Sequence, residues 1–177
     1  DPLFPIDIMP EMNLANRACV RGMRGANVFT NEEAESTGTG DGGSVWDMEN
    51  SAERGKAIQA QQNVRNLPEN FPAFSAFDSS TGTATAELSL DLRSDSYQQA
   101  SGIAGTIRAE CSKIDNYRTS TRNGVTVKEE EIKRKVLIVY IPSSTDDRII
   151  DRSAYDQAVG DVREVYPDIE IVTKEID

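Results

Sequence analysis

An unbroken apolar run, Val136-Leu137-Ile138-Val139-Tyr140-Ile141, most constrains the fold of this chain. A strand with one wet face alternates apolar and polar residues, whereas an apolar run without alternation predicts a strand covered on both faces. Pro142 ends the run, because proline has no N–H to give to a ladder. After a polar loop, Ser153 caps a predicted helix with Tyr155, Ala158, Val159, Val162 and Val165 on one side. Pro167-Asp168 then returns the chain to Ile169-Glu170-Ile171-Val172. Strand, helix and strand in so short a span predict a right-handed βαβ unit with parallel strands.

A second strand is legible upstream. Ala84, Ala86, Leu88, Leu90 and Leu92 alternate with Thr85, Glu87, Ser89 and Asp91, the period-two pattern of a strand with one buried face. Phe71 to Phe77 leads into it through the turn Ser79-Ser80-Thr81-Gly82. Ser94 next caps a predicted helix in which Tyr97, Ala100, Ile103, Ala104, Ile107, Cys111 and Ile114 keep helical spacing. Cys111 is therefore read as a core residue rather than a nucleophile. Asn123-Gly124 is a strong hairpin signal, since both residues tolerate the positive φ that a tight turn demands. The charge block from Glu129 to Lys135 reads as a solvated edge strand guarded against edge-to-edge pairing. Ser51 caps a weakly amphipathic helix to about Leu67, stopped by Pro68. The expected fold class is α/β or α+β: a compact mixed sheet over residues 70–177 with a C-terminal βαβ unit, preceded by a helix and linker at 51–69 and an extended acidic N-terminal arm at 1–50.

The arm is defined by Pro2, Pro5 and Pro10, the acidic Glu32-Glu33-Ala34-Glu35 and a Gly-rich tract from Gly38 to Gly43. Such a segment buries too little apolar surface to offset its ordering entropy. It nevertheless carries Phe4, Ile6, Ile8 and Trp46, which are costly to leave in water, and Arg17, Arg21 and Arg24 on one face of a short helix. These seven residues are the candidate partner-binding set. The glycines do not make a phosphate cradle, because they lack the lysine and the preceding strand that such a loop requires.

Chemistry is bounded by an absence. The 177 residues contain no histidine and two cysteines, Cys19 and Cys111, which excludes Ser-His-Asp and Cys-His catalysis and histidine-bearing zinc sites. Carboxylate, hydroxyl and backbone chemistry remain. Thirty Asp and Glu against 19 Lys and Arg give a net charge of −11, which argues against nucleic acid and anionic membranes as partners. No run approaches the length of a membrane span, so a soluble chain is expected, and its start at Asp1 fits either a trimmed chain or processing of a longer precursor, the latter in an organelle, the periplasm or a secreted context. The loop Ser143-Ser144-Thr145-Asp146-Asp147 follows the carboxyl end of the buried strand, where open α/β sheets place their ligands. Ser143, Asp146 and Asp147 are the candidate ligands for a hard cation, Mg²⁺ or Ca²⁺.

Residues Lys135 to Asp147, with the helix and strand that follow, resemble the later half of a von Willebrand factor A domain. That family's Asp-x-Ser-x-Ser metal motif does not occur in this chain. The resemblance implies an adhesion module with a degenerate metal site. Taken together, the residues favour a non-catalytic interaction subunit with no resident cofactor, docking on other protein subunits through its arm. The alternatives are a small enzyme domain that binds a divalent cation or phosphate at 143–147, and the adhesion module.

Overall fold

The computed structural model describes residues 44–143 and 152–177. Helix α1, Ser51–Gln62, is capped not by Ser51 but by Asn50, whose side-chain oxygen accepts from the Ala52 and Glu53 amides. It ends five residues before Leu67, because Asn63 turns into the left-handed region at φ 48° and Arg65 to Leu67 run on without helical structure. Strand β1, Ala76–Asp78, leads through a turn to β2, Thr83–Ser89. Gly82 makes that turn possible at φ 70°, and a Cβ there would lie 2.8 Å from the Glu131 carbonyl.

Helix α2, Ala100–Asp115, begins later than its Ser94 cap predicts. A separate turn of 3-10 helix, Asp95–Tyr97, comes first. The hairpin is as the sequence predicts: β3, Ser120–Arg122, and β4, Val125–Val127, join through Asn123 at φ 49° and Gly124 at φ 78°. The Glu129–Glu131 segment is a 3-10 turn rather than an edge strand, and its basic continuation opens the long strand β5, Arg134–Pro142. Helix α3, Ser153–Val165, and strand β6, Ile169–Ile176, complete the chain.

Four strands form one mixed sheet in the order β1-β2-β5-β6, with β1 antiparallel to β2 and the other pairings parallel. β5 is thus central, which is why its apolar run is continuous. Its alternate residues separate two cores. Leu137, Val139 and Ile141 pack with Ala84, Ala86, Ile107, Cys111, Ala158 and Val162, under α2 and α3. Val136, Ile138 and Tyr140 pack on the opposite side with Ile58 of α1 and with Val45 and Trp46 of a short turn that precedes it. The parallel β5-α3-β6 arrangement agrees with the expected βαβ unit.

A buried ion cluster fixes the preceding turn to the end of β2. Asp91, 8% exposed, accepts from Arg93 Nε at 2.8 Å and from Arg54 Nη1 at 3.3 Å. Arg93 also reaches the Trp46 carbonyl and pairs with Asp47 at 3.1 Å. Planar guanidinium forks suit such shared contacts better than lysine does.

Candidate active site

Register decides which side chains share a face, because paired residues of parallel strands point the same way. Glu87 pairs with Ile138 and Ser89 with Tyr140, so Glu87 and Ser89 lie on the α1 side of the sheet. There the Tyr140 hydroxyl donates to Glu87 Oε1 at 2.8 Å. Burial pushes the Tyr140 hydroxyl well above the usual phenol range, and its bond to Glu87 adds to the shift. Lys174 of β6, paired with Tyr140, sets its ammonium 6.0 Å from the ring centre.

Gly55 and Gln59 of α1 close over Glu87, Ser89 and Tyr140 to leave a cleft of about 180 Å³. The missing side chain at Gly55 matters here, since a Cβ would stand 3.5 Å from Ser89 Oγ. A second cleft, about 240 Å³, shares Gln59 and Glu87 and brings in Arg65, Glu110 and Lys113. Arg65 Nη2 donates to Gln59 Oε1 at 2.8 Å. Two polar atoms of this cleft's lining residues are buried and lack a hydrogen-bond partner among the described residues: Glu87 Oε2 and Arg65 Nη1. One is an acceptor and the other a donor, and leaving either unmatched is costly in a folded protein.

No group of three or more Cys, Asp or Glu side chains able to hold a metal ion occurs among the described residues. The residues around Glu87 accordingly do not form such a ligand set.

Of the residues expected from the sequence, Trp46 is placed within the chain's own fold. It is 2% exposed, and its indole N–H donates to the Ile176 carbonyl at 2.9 Å. Ser143 is half-buried at the end of β5, where its amide donates to the Ile176 carbonyl at 2.9 Å. Phe4, Ile6, Ile8, Arg17, Arg21, Arg24, Asp146 and Asp147 lie outside the described residues. Glu87 and Arg65 were not candidates from sequence. Glu87 occupies the polar half of an alternating strand, which ordinarily faces water. The available signal was its neighbour: a strand apolar on both faces requires a cover on the Glu87 side too.

The mixed sheet between helical layers, with an internal carboxylate facing a cleft, is a restriction endonuclease-like domain. The family described as the CDI toxin restriction endonuclease-like domain matches residues 54–174, and the chain belongs to it. Among solved structures, the fold is similar to a chain of the CdiA-CT/CdiI toxin and immunity complex from Yersinia pseudotuberculosis, with a TM-score of 0.51 at 16% identity over 69% of this chain and 97% of that one. No curated protein compared with the chain matches it.

Family membership corrects three expectations. The chain is not a non-catalytic assembly subunit and not an adhesion module of the von Willebrand type, because a restriction endonuclease-like toxin domain is of an enzyme class. The alternative of a small enzyme domain did not name the endonuclease class, and most of its loop, 143–147, lies outside the described residues. Nor does net charge exclude nucleic acid: a charge of −11 sums the whole chain, whereas a polyanion responds to the local arrangement of cations. Histidine's absence is compatible with this class, because the carboxylate chemistry that the sequence leaves open, with a guanidinium or an amine, serves phosphodiester hydrolysis without imidazole. Among the described residues no helix is long and apolar enough to cross a membrane.

Proposed function

We propose that this domain is a nuclease toxin that hydrolyses phosphodiester bonds of nucleic acid at the Glu87 cleft. The observation that carries the reading is the complementary pair of unmatched buried atoms, Glu87 Oε2 and Arg65 Nη1, on residues lining one cleft. A phosphodiester with an attacking water supplies what both lack. A phosphate oxygen accepts from Arg65, and the water donates to Glu87.

In this reading Glu87 is the general base. It takes a proton as the water oxygen bonds to phosphorus, and the bond from phosphorus to the leaving oxygen breaks. Arg65 and Lys113 hold the phosphate and offset the charge that develops on it. Tyr140 is a positioning residue, because its hydroxyl binds the other oxygen of Glu87 and leaves Oε2 for the water. The similar Yersinia structure pairs a toxin with an immunity protein. The family and that likeness support a corresponding partner here, an immunity protein that binds this chain and stops its activity.

The test is cleavage of labelled DNA and RNA by the full chain and by Glu87→Gln. Glutamine keeps an acceptor for the Tyr140 hydroxyl, so the variant is expected to melt like the parent while losing about 10²-fold or more in rate, the usual contribution of a general base. A parent that cuts neither polymer, or a variant that cuts as fast, overturns the reading.

A further inference from the structure

A third concavity, about 600 Å³, lies at the opposite end of the central strands from Tyr140. Lys133, Arg134, Lys135 and Arg163 line it, with Asp168 and Glu170. From Arg134 to Ile138, the register partner of Glu87, is four residues of one strand, roughly 13 Å at the rise of an extended chain, and the two clefts share no lining residue. This cleft is therefore distinct from the Glu87 site.

Its cations are only partly neutralised. Arg134 Nε donates to Glu170 at 2.8 Å, and Lys135 stands 3.9 Å from Asp115. Lys133 is exposed and makes no ion pair among the described residues, while Arg163 donates to the Ile171 carbonyl at 2.8 Å and makes no ion pair there either. The start of β5 is held firmly, since the Lys133 and Arg134 amides both donate to the Gly82 carbonyl, at 2.8 and 3.2 Å. The charges thus project from a fixed edge.

From this arrangement we propose that the Lys133–Arg163 cleft is a phosphate-backbone exosite that holds nucleic acid away from the point of cleavage. The inference rests on the nuclease reading. An acidic chain repels a polyanion at long range, and the Glu87 cleft offers only Arg65 and Lys113 as counter-charge. A backbone crossing roughly 13 Å presents several successive phosphates, because duplex DNA carries one per about 3.4 Å on each strand. Cations at both ends of that span register the polymer without reading its sequence.

The experiment measures binding of a fluorescent 20-base-pair duplex and its single strand to the full chain carrying Glu87→Gln, across a salt series. The added changes are Lys133→Gln, Lys135→Gln and Arg163→Gln together, and Lys133→Gln alone, which removes no ion pair. The triple change is expected to weaken binding at least tenfold and to lower the salt slope by about 2 to 3, and the single change to lower it by about 1. Both effects should be uniform across sequences.

Unchanged affinity and slope in both variants overturn the exosite. So does polyglutamate that competes at this cleft as well as DNA of equal charge, an outcome that would assign the surface to an acidic protein partner. Failure of the nuclease reading looks different: the parent binds through the cleft, with the expected slopes, but does not cleave.

Discussion

The Tyr140 hydroxyl and the Glu87 carboxylate, 53 residues apart, are joined at 2.8 Å across β5 and β2. The bond exists because Tyr140 is paired with Ser89, one step along the same face from Glu87. It ties a polar group of the candidate site to the centre of the sheet.

Tyr140→Phe removes that donor and leaves both oxygens of Glu87 without a partner among the described residues. A loss of about 1 to 3 kcal/mol in stability is expected, read from urea unfolding. Cleavage should fall less than in Glu87→Gln, because the base itself remains.

Alkaline pH tests the buried thiol. Burial pushes Cys111 from 9.0 up to about 11, because the interior disfavours a thiolate, and nearby Glu110 and Asp115 act in the same direction. A group held protonated by folding contributes its full stability below the unfolded value and loses it as pH rises through the folded one. Stability should therefore decline between about pH 9 and 11, and Cys111→Ala should flatten that decline relative to the parent. Urea midpoints taken every half unit would show it.

Trp46→Ala removes a nearly buried ring and the donor to the Ile176 carbonyl. A cost of about 3 to 5 kcal/mol is expected for such a truncation. Faster amide exchange should follow at residues 45–48, whose turn loses its anchor to β6. A variant as stable as the parent would show that the ring is not part of this core.

Asp91→Asn keeps the shape of the ion cluster and removes its negative charge. Arg54 then loses its carboxylate partner while Arg93 keeps its pair with Asp47, and both arginine side chains are only about one-tenth exposed. Breaking a buried pair in this way costs about 3 to 5 kcal/mol. High salt should recover little of it, because buried charges are weakly screened.

Gly82→Ala introduces a Cβ at φ 70°, 2.8 Å from the Glu131 carbonyl. Strain and steric displacement together should cost about 2 kcal/mol or more. Gly105→Ala is the control, since nothing lies within 4 Å of that position and it sits on a helix, where alanine is favoured.

The amino-acid pattern alone determined the local architecture. The apolar run of β5, the alternation of β2, the spacing of α2 and α3 and the Asn123-Gly124 turn are periodic or stereochemical signals that need only neighbouring residues. Buried Cys111 follows from the same helical spacing. Element ends were less legible: Asn50 takes the cap in place of Ser51, and the helix expected from Ser94 starts only at Ala100. What tertiary structure decided was the meaning of the polar residues. Glu87 lies on the polar side of its strand, but α1 and Trp46 cover that face, so a carboxylate expected in water becomes a half-buried acceptor beside Tyr140 and Gln59. Trp46 was read with the acidic arm because its sequence neighbours are polar, yet its partner, Ile176, is 130 residues away. Whether a side chain meets solvent or a distant strand depends on which elements pack together, and no periodicity within one segment contains that information.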